Sequence, residues 1–109
     1  MAWFRHTVES GGQAIDHVSP PQSSQRTLKA ITISWGIAPV TAGDLVVSLD
    51  SQLGAAWDTE IYRIDPSDDG LTAVLLTDVN LPVFVGDKLT VAYANPDGRT
   101  IGIQIILSN

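Results

Sequence analysis

Few residues in this sequence have types and spacings that could do chemistry. His6 and His17 are the two histidines, and paired imidazoles suit a metal ion or general acid–base work. Two imidazoles do not close a zinc site, however, and no third ligand cluster stands beside them, so ordinary polar residues are expected. Asp65, Asp68 and Asp69 before Gly70 resemble the opening of a calcium loop. Its twelfth position, where a bidentate carboxylate belongs, is Leu76, and an acidic hairpin turn is the plainer reading. Asp58 and Glu60 fall on one face of one expected strand, and paired carboxylates are the apparatus of glycoside hydrolysis. A body of short strands leaves little room for the cleft such a pair must flank, so both read as surface carboxylates.

Nucleophile motifs are missing from the sequence. It contains no Gly-x-Ser-x-Gly, no Ser-x-x-Lys and no phosphate-cradling glycine loop. With no cysteine among 109 residues, disulfide frameworks, thiolate metal sites and cysteine nucleophiles are excluded. The expectation is therefore a protein that is not an enzyme, with no catalytic residue, no metal and no cofactor.

Aromatic residues offer a different chemistry, because their faces stack on sugars and other flat apolar groups. Trp35 is in phase with Ile31 and Ile33 and belongs in a core. Trp57, after Gly54-Ala55-Ala56, and Tyr62 are the candidates for a ligand platform. Tyr62 falls on the opposite face of the strand from Trp57 and Ile61. Trp3 suits an exposed anchor at a protein interface.

The elements that must position these residues read as strand after strand. Ile31, Ile33, Trp35 and Ile37 alternate with Thr32, Ser34 and Gly36, the period of a half-buried strand. Leu45, Val47 and Leu49 repeat it, and Trp57 to Ile64 gives a more exposed strand. Leu71 to Thr77 and Leu81 to Val85 are short apolar runs, followed by Leu89, Val91 and Tyr93 and then by Ile101, Ile103, Ile105 and Leu107. Asp65-Pro66-Ser67-Asp68-Asp69-Gly70, Gly86-Asp87 and Asn95-Pro96-Asp97-Gly98 supply turn chemistry between them, the last as a hairpin turn. Seven short strands without an intervening helical period predict an all-β fold, an antiparallel sandwich of jelly-roll rather than immunoglobulin type.

Composition agrees with one such domain. Apolar residues make up 44% of the chain and charged residues 17%, which excludes a disordered tail. A net charge of −6 has the wrong sign for wrapping nucleic acid. No secretory apolar region and no stretch approaching the ~20 residues of a membrane helix is present. A whole small gene product made in the cytoplasm is expected, beginning at Met1.

Residues 1–30 carry three bases and two acids, whereas residues 31–109 carry three bases and ten acids. Paired prolines in Ser19-Pro20-Pro21-Gln22-Ser23-Ser24-Gln25 break any element near that boundary. Residues 1–27 thus read as an extended N-terminal arm or peripheral strand, and residues 28–109 as the sandwich body. Trp3, Phe4, Val8 and Ile15 are too apolar to leave in water and are the expected anchors on a partner.

The body resembles small β-sandwich structural proteins of tailed bacteriophages. The blocks that carry this are Leu45-Val46-Val47-Ser48-Leu49-Asp50, Gly54-Ala55-Ala56-Trp57-Asp58-Thr59, Val85-Gly86-Asp87-Lys88-Leu89-Thr90-Val91-Ala92-Tyr93-Ala94-Asn95 and Arg99-Thr100-Ile101-Gly102-Ile103. The resemblance implies a virion protein present in many copies, of the capsid decoration or accessory type. Its implied partners are major capsid or tail subunits and further copies of itself in a homo-oligomer, without nucleic acid or membrane. The arm lies outside the resembling blocks. The alternative is a glycan- or host-receptor-binding module of a phage tail, using Trp57 and Tyr62.

Overall fold

Alternating apolar side chains build nine strands among the described residues, 2–68 and 70–109 of the computed structural model. They are β1 (Trp3–Gly11), β2 (Ile15–Val18), β3 (Arg26–Trp35), β4 (Leu45–Asp50), β5 (Thr59–Ile64), β6 (Ala73–Leu76), β7 (Leu81–Val83), β8 (Lys88–Tyr93) and β9 (Thr100–Ser108). One sheet runs β1-β9-β3-β6, with β7 continuing the β6 edge along the start of β3. The other runs β2-β8-β4-β5. Every pairing is antiparallel.

The pairings are nested: β1 with β9, β2 with β8, β3 with β6 and β4 with β5. That is the wrapping of a jelly roll, a double-layered antiparallel sandwich. Between the layers lie Leu28, Ile31, Ile33 and Trp35 of β3, Leu45, Val47 and Leu49 of β4, Leu89, Val91 and Tyr93 of β8, and Ile101, Ile103, Ile105 and Leu107 of β9. Ile31 stands opposite Ile105, and Ile33 opposite Ile103. Such β-branched cross-strand pairs contribute roughly 0.2–1 kcal/mol each beyond alanine pairs.

Two bulges explain where the alternation slips. On β3 the register shifts between Leu28 and Ala30, so Lys29 is the extra residue. The inward set passes there from even to odd positions, from Leu28 to Ile31. On β5, Tyr62 pairs with Val47 while Glu60 pairs with Ser48, leaving Ile61 unpaired. Tyr62 therefore faces the core with Val47.

Residues 1–27 take the form of peripheral strands. β1 lies along β9 for nine residues and β2 along β8 for four, each at the edge of its sheet. Val8 and Ile15 are buried in the chain's own core, since each points inward from a paired strand, so neither is free to anchor a partner. The 27/28 boundary falls within β3, whose Arg26 and Thr27 already pair with Val83 and Pro82.

The turns stand where their chemistry puts them, but they make crossings rather than hairpins. Gly98 donates to the Asn95 carbonyl at 3.0 Å, yet the turn carries the chain from β8 in one sheet to β9 in the other. The acidic segment from Asp65 likewise crosses from β5 to β6. Asp69 lies outside the described residues. Turn propensity is local, whereas sheet membership is decided by which apolar face finds a partner.

Candidate functional site

Three loops converge at one end of the sandwich: the β2–β3, β4–β5 and β7–β8 connections. Asp87 ties them together, although its side chain is a carboxylate in a residue only 3% exposed. Its Oδ1 accepts from the Gln52 backbone N–H at 3.0 Å and its Oδ2 from that of Phe84 at 2.9 Å. Its own carbonyl accepts from Gln22 N–H at 2.9 Å, and Gly86 N–H donates to the Gln22 carbonyl at 2.9 Å. Gly86 has φ 89°, and a Cβ there would stand 3.0 Å from Gln52 Cβ, so the close approach of the two loops requires glycine.

On this fixed base, large apolar side chains point into solvent. Leu53, Trp57, Phe84 and Val85 are all exposed, and Trp3 and Val18 stand at the same end of their strands. Trp57, expected to open a strand, instead closes a single turn of 3-10 helix over Ala55–Trp57. Its N–H donates to the Gly54 carbonyl at 3.1 Å, and Asp58 Oδ1 accepts from Ser51 N–H at 2.8 Å. That turn leaves the indole 60% exposed. Exposed large apolar side chains on an ordered scaffold mark interaction sites.

The sequence-derived candidates divide accordingly. Trp3 is exposed on the outer side of β1, and Phe4 is half-buried beneath the Arg26 guanidinium, 3.7 Å from its ring centre. Val8 and Ile15 are core residues. Tyr62 packs on the core, apart from Trp57, so the two rings do not form one platform. Leu53, Phe84 and Val85 escaped the sequence reading. Their signals were an apolar residue inside a polar turn and three consecutive apolar residues, Val83-Phe84-Val85, which a two-faced strand cannot all bury.

The carboxylates serve structural contacts. Glu60 and Asp44 flank Arg63, with ion-pair distances of 2.6 and 2.7 Å, and such exposed pairs stabilise little. Asp65 Oδ1 accepts from the Ser67 N–H at 3.0 Å and its hydroxyl at 2.7 Å. These bonds hold the Asp65 carboxyl below its usual value. Among the described residues no group of three or more His, Cys, Asp or Glu is placed to hold a metal.

The two histidines, separate in sequence, meet in space. His6 lies on β1 in phase with Phe4 and Val8, and His17 lies on β2 in phase with Ile15. Both therefore point inward from the facing edges of the two sheets. Their Nε2 atoms are 2.8 Å apart, with ring centres 4.9 Å apart and ring planes at 33°. One ring donates and the other accepts, so the bond needs at least one neutral imidazole. Burial, and after it the His17 charge, lower the His6 pKa from the usual imidazole value.

Fold and site together define a jelly-roll sandwich with an apolar loop end and a histidine-bridged edge. Comparison with protein families and with curated proteins finds no match. Among solved structures, the Yersinia pseudotuberculosis-derived mitogen is similar over 98% of this chain and 85% of that one, with 14% identity and a TM-score of 0.45.

Proposed function

We propose that this chain is a non-enzymatic assembly module that docks on neighbouring protein subunits through its apolar loop end. The observation that carries the reading is the display of Leu53, Trp57, Phe84 and Val85 on loops fixed by Asp87. Loops ordered before contact lose little conformational entropy on binding, and a tryptophan among smaller apolar groups is the usual centre of such an interface. The resemblance to tailed-phage structural proteins supplies the class of neighbour: capsid or tail subunits of a virion, with further copies of this chain. Trp3 is then the N-terminal contribution to docking, in place of the whole arm.

The reading is tested by light scattering on the full-length protein beside a Leu53→Ser/Trp57→Ser/Phe84→Ser variant. An oligomer that becomes a folded monomer on substitution supports docking at this end. A monomeric wild-type protein, or an oligomer indifferent to the three changes, overturns it. The glycan-binding alternative keeps Trp57 but loses Tyr62.

A further inference from the structure

We propose that His6 and His17 form a binding site for a late first-row divalent metal ion, copper(II) most tightly, where β1 and β2 join the edges of the two sheets. The geometry is close to what such an ion needs. Two imidazole nitrogens each about 2.0–2.1 Å from one ion, in adjacent coordination positions, stand roughly 3 Å apart. The Nε2 atoms stand 2.8 Å apart with ring centres at 4.9 Å, so the spacing already suits one ion and a rotation of the two rings turns their lone pairs from facing each other to converging on it. The donating ring moves its N–H from Nε2 to Nδ1, and both Nε2 lone pairs then face the metal. The neutral pair loses no net proton.

The backbone holds this arrangement in place. His6 is paired with Ile105 and His17 with Val91, each inside a continuous antiparallel ladder. Preorganised ligands on paired strands cost less to assemble than ligands on loops. Both rings are half-buried. A groove of about 240 Å³, lined by His6 and by residues including Ser19, Pro20, Gln22 and Arg26, opens His6 to solvent.

The donor set selects the ion. Nitrogen donors without carboxylates favour copper, nickel and zinc over calcium and magnesium, with copper(II) at the top of the divalent order. Among the described residues no third side-chain ligand joins them, so water completes the coordination. Charged neighbours oppose a dication only in part. Arg26 lines the groove but is engaged by Phe4 and the Gln22 Oε1, 2.9 Å away. Arg5 and Glu9 alternate with the inward positions of β1, Arg5 also lining the groove, and Asp16 lies on the outer face of β2, whereas the facing residues of β8 and β9, Val91 and Ile105, carry no charge. Protons compete for the same nitrogens, so affinity falls as pH drops.

Calorimetric titration of the full-length protein with copper(II) chloride at neutral pH is the test, with the complex read by electron paramagnetic resonance. The expected result is one equivalent bound by two imidazole nitrogens. His6→Gln and His17→Gln each weaken binding roughly tenfold or more, while calcium and magnesium give no heat. Histidine-ring NMR of the wild-type protein with zinc(II) gives a second readout that needs no variant, and both rings should shift together by one equivalent. Equal copper affinity in folded wild-type and His6→Gln/His17→Gln proteins overturns the site, as do ring resonances that zinc leaves unmoved.

Discussion

The two ends of the sandwich use the same device for opposite purposes. At each, buried or half-buried Asp and Asn side chains accept backbone N–H groups and hold loops from both sheets together. At the apolar end Asp87 does this, and the loops it fixes project Leu53, Trp57, Phe84 and Val85 into solvent. At the far end Asn95 and Asp97 do it, and the binding is mostly inward. Asn95 donates to the Gln13 and Arg99 carbonyls at 3.0 and 2.8 Å. Asp97 accepts from Val40 N–H, Thr41 N–H and the Thr41 hydroxyl at 2.9, 2.8 and 2.7 Å. Fixed loops alone therefore do not mark a contact surface. What distinguishes the apolar end is the aromatic pair its loops carry, Trp57 and Phe84, where the far end exposes only the smaller Ile37 and Val40.

The largest effect expected comes from removing what both ends share. Deleting residues 2–18 takes away β1 and β2, uncovers an edge of β9 and empties the places of Val8 and Ile15. Loss of cooperative thermal unfolding, with aggregation, is the expected outcome. A soluble, cooperatively folded remainder would return the segment to the status of a detachable arm.

Asp87→Ala comes next. It leaves the Gln52 and Phe84 N–H groups without their acceptor in a buried setting, which costs about 2–4 kcal/mol. Urea titration should show that loss, together with increased hydrogen exchange over residues 51–58 and 84–87. Exchange that rises at the far end instead would break the comparison. Asn95→Ala should cost about 1–3 kcal/mol, since it removes three hydrogen bonds and places alanine at φ 53°. Asn95→Gly should recover only the part due to backbone strain.

The smallest effect is a pH dependence confined to the far end. Hydrogen bonds from Thr41, then Val40, lower the Asp97 pKa below its ordinary 3.8, so this carboxylate stabilises the fold above that value. The contribution is lost as pH falls through the lowered pKa. Asp97→Asn should flatten the acid limb of the stability curve measured by denaturant titration; an unchanged limb would remove Asp97 from the account.

Much of this architecture was legible in the sequence. Seven body strands followed from alternation and turn residues, because a sheet with one buried face imprints a period of two. β1 was harder to read: its inward positions are Phe4, His6, Val8 and Ser10, half of them polar, so the same spacing also suited an arm. The His6–His17 contact had no local signal at all, since it depends on two edge strands in different sheets arriving on the same side. Asp87 was visible as turn chemistry, but its links to Gln22 and Gln52 require loops far apart in the chain to converge. The exposure of Trp57 turned on one short 3-10 turn, which propensity does not distinguish from the start of β5.

The nesting of first strand with last has a consequence for how the molecule comes into being. β9, the last of the nine strands in chain order, lies between β1 and β3 in the middle of its sheet. Until Thr100–Ser108 leaves the ribosome, β1 has no neighbour to pair with and the inward face of β3 has no Ile103 or Ile105 opposite it. The sandwich therefore closes only once β9 is available, in a slow, long-range step. The first and last described residues lie side by side, Ala2 N–H 2.9 Å from Asn109 Oδ1 and Asn109 N–H 3.2 Å from the Ala2 carbonyl. A short peptide could join them and a new start could be cut elsewhere, giving a permuted chain whose central strand is made early.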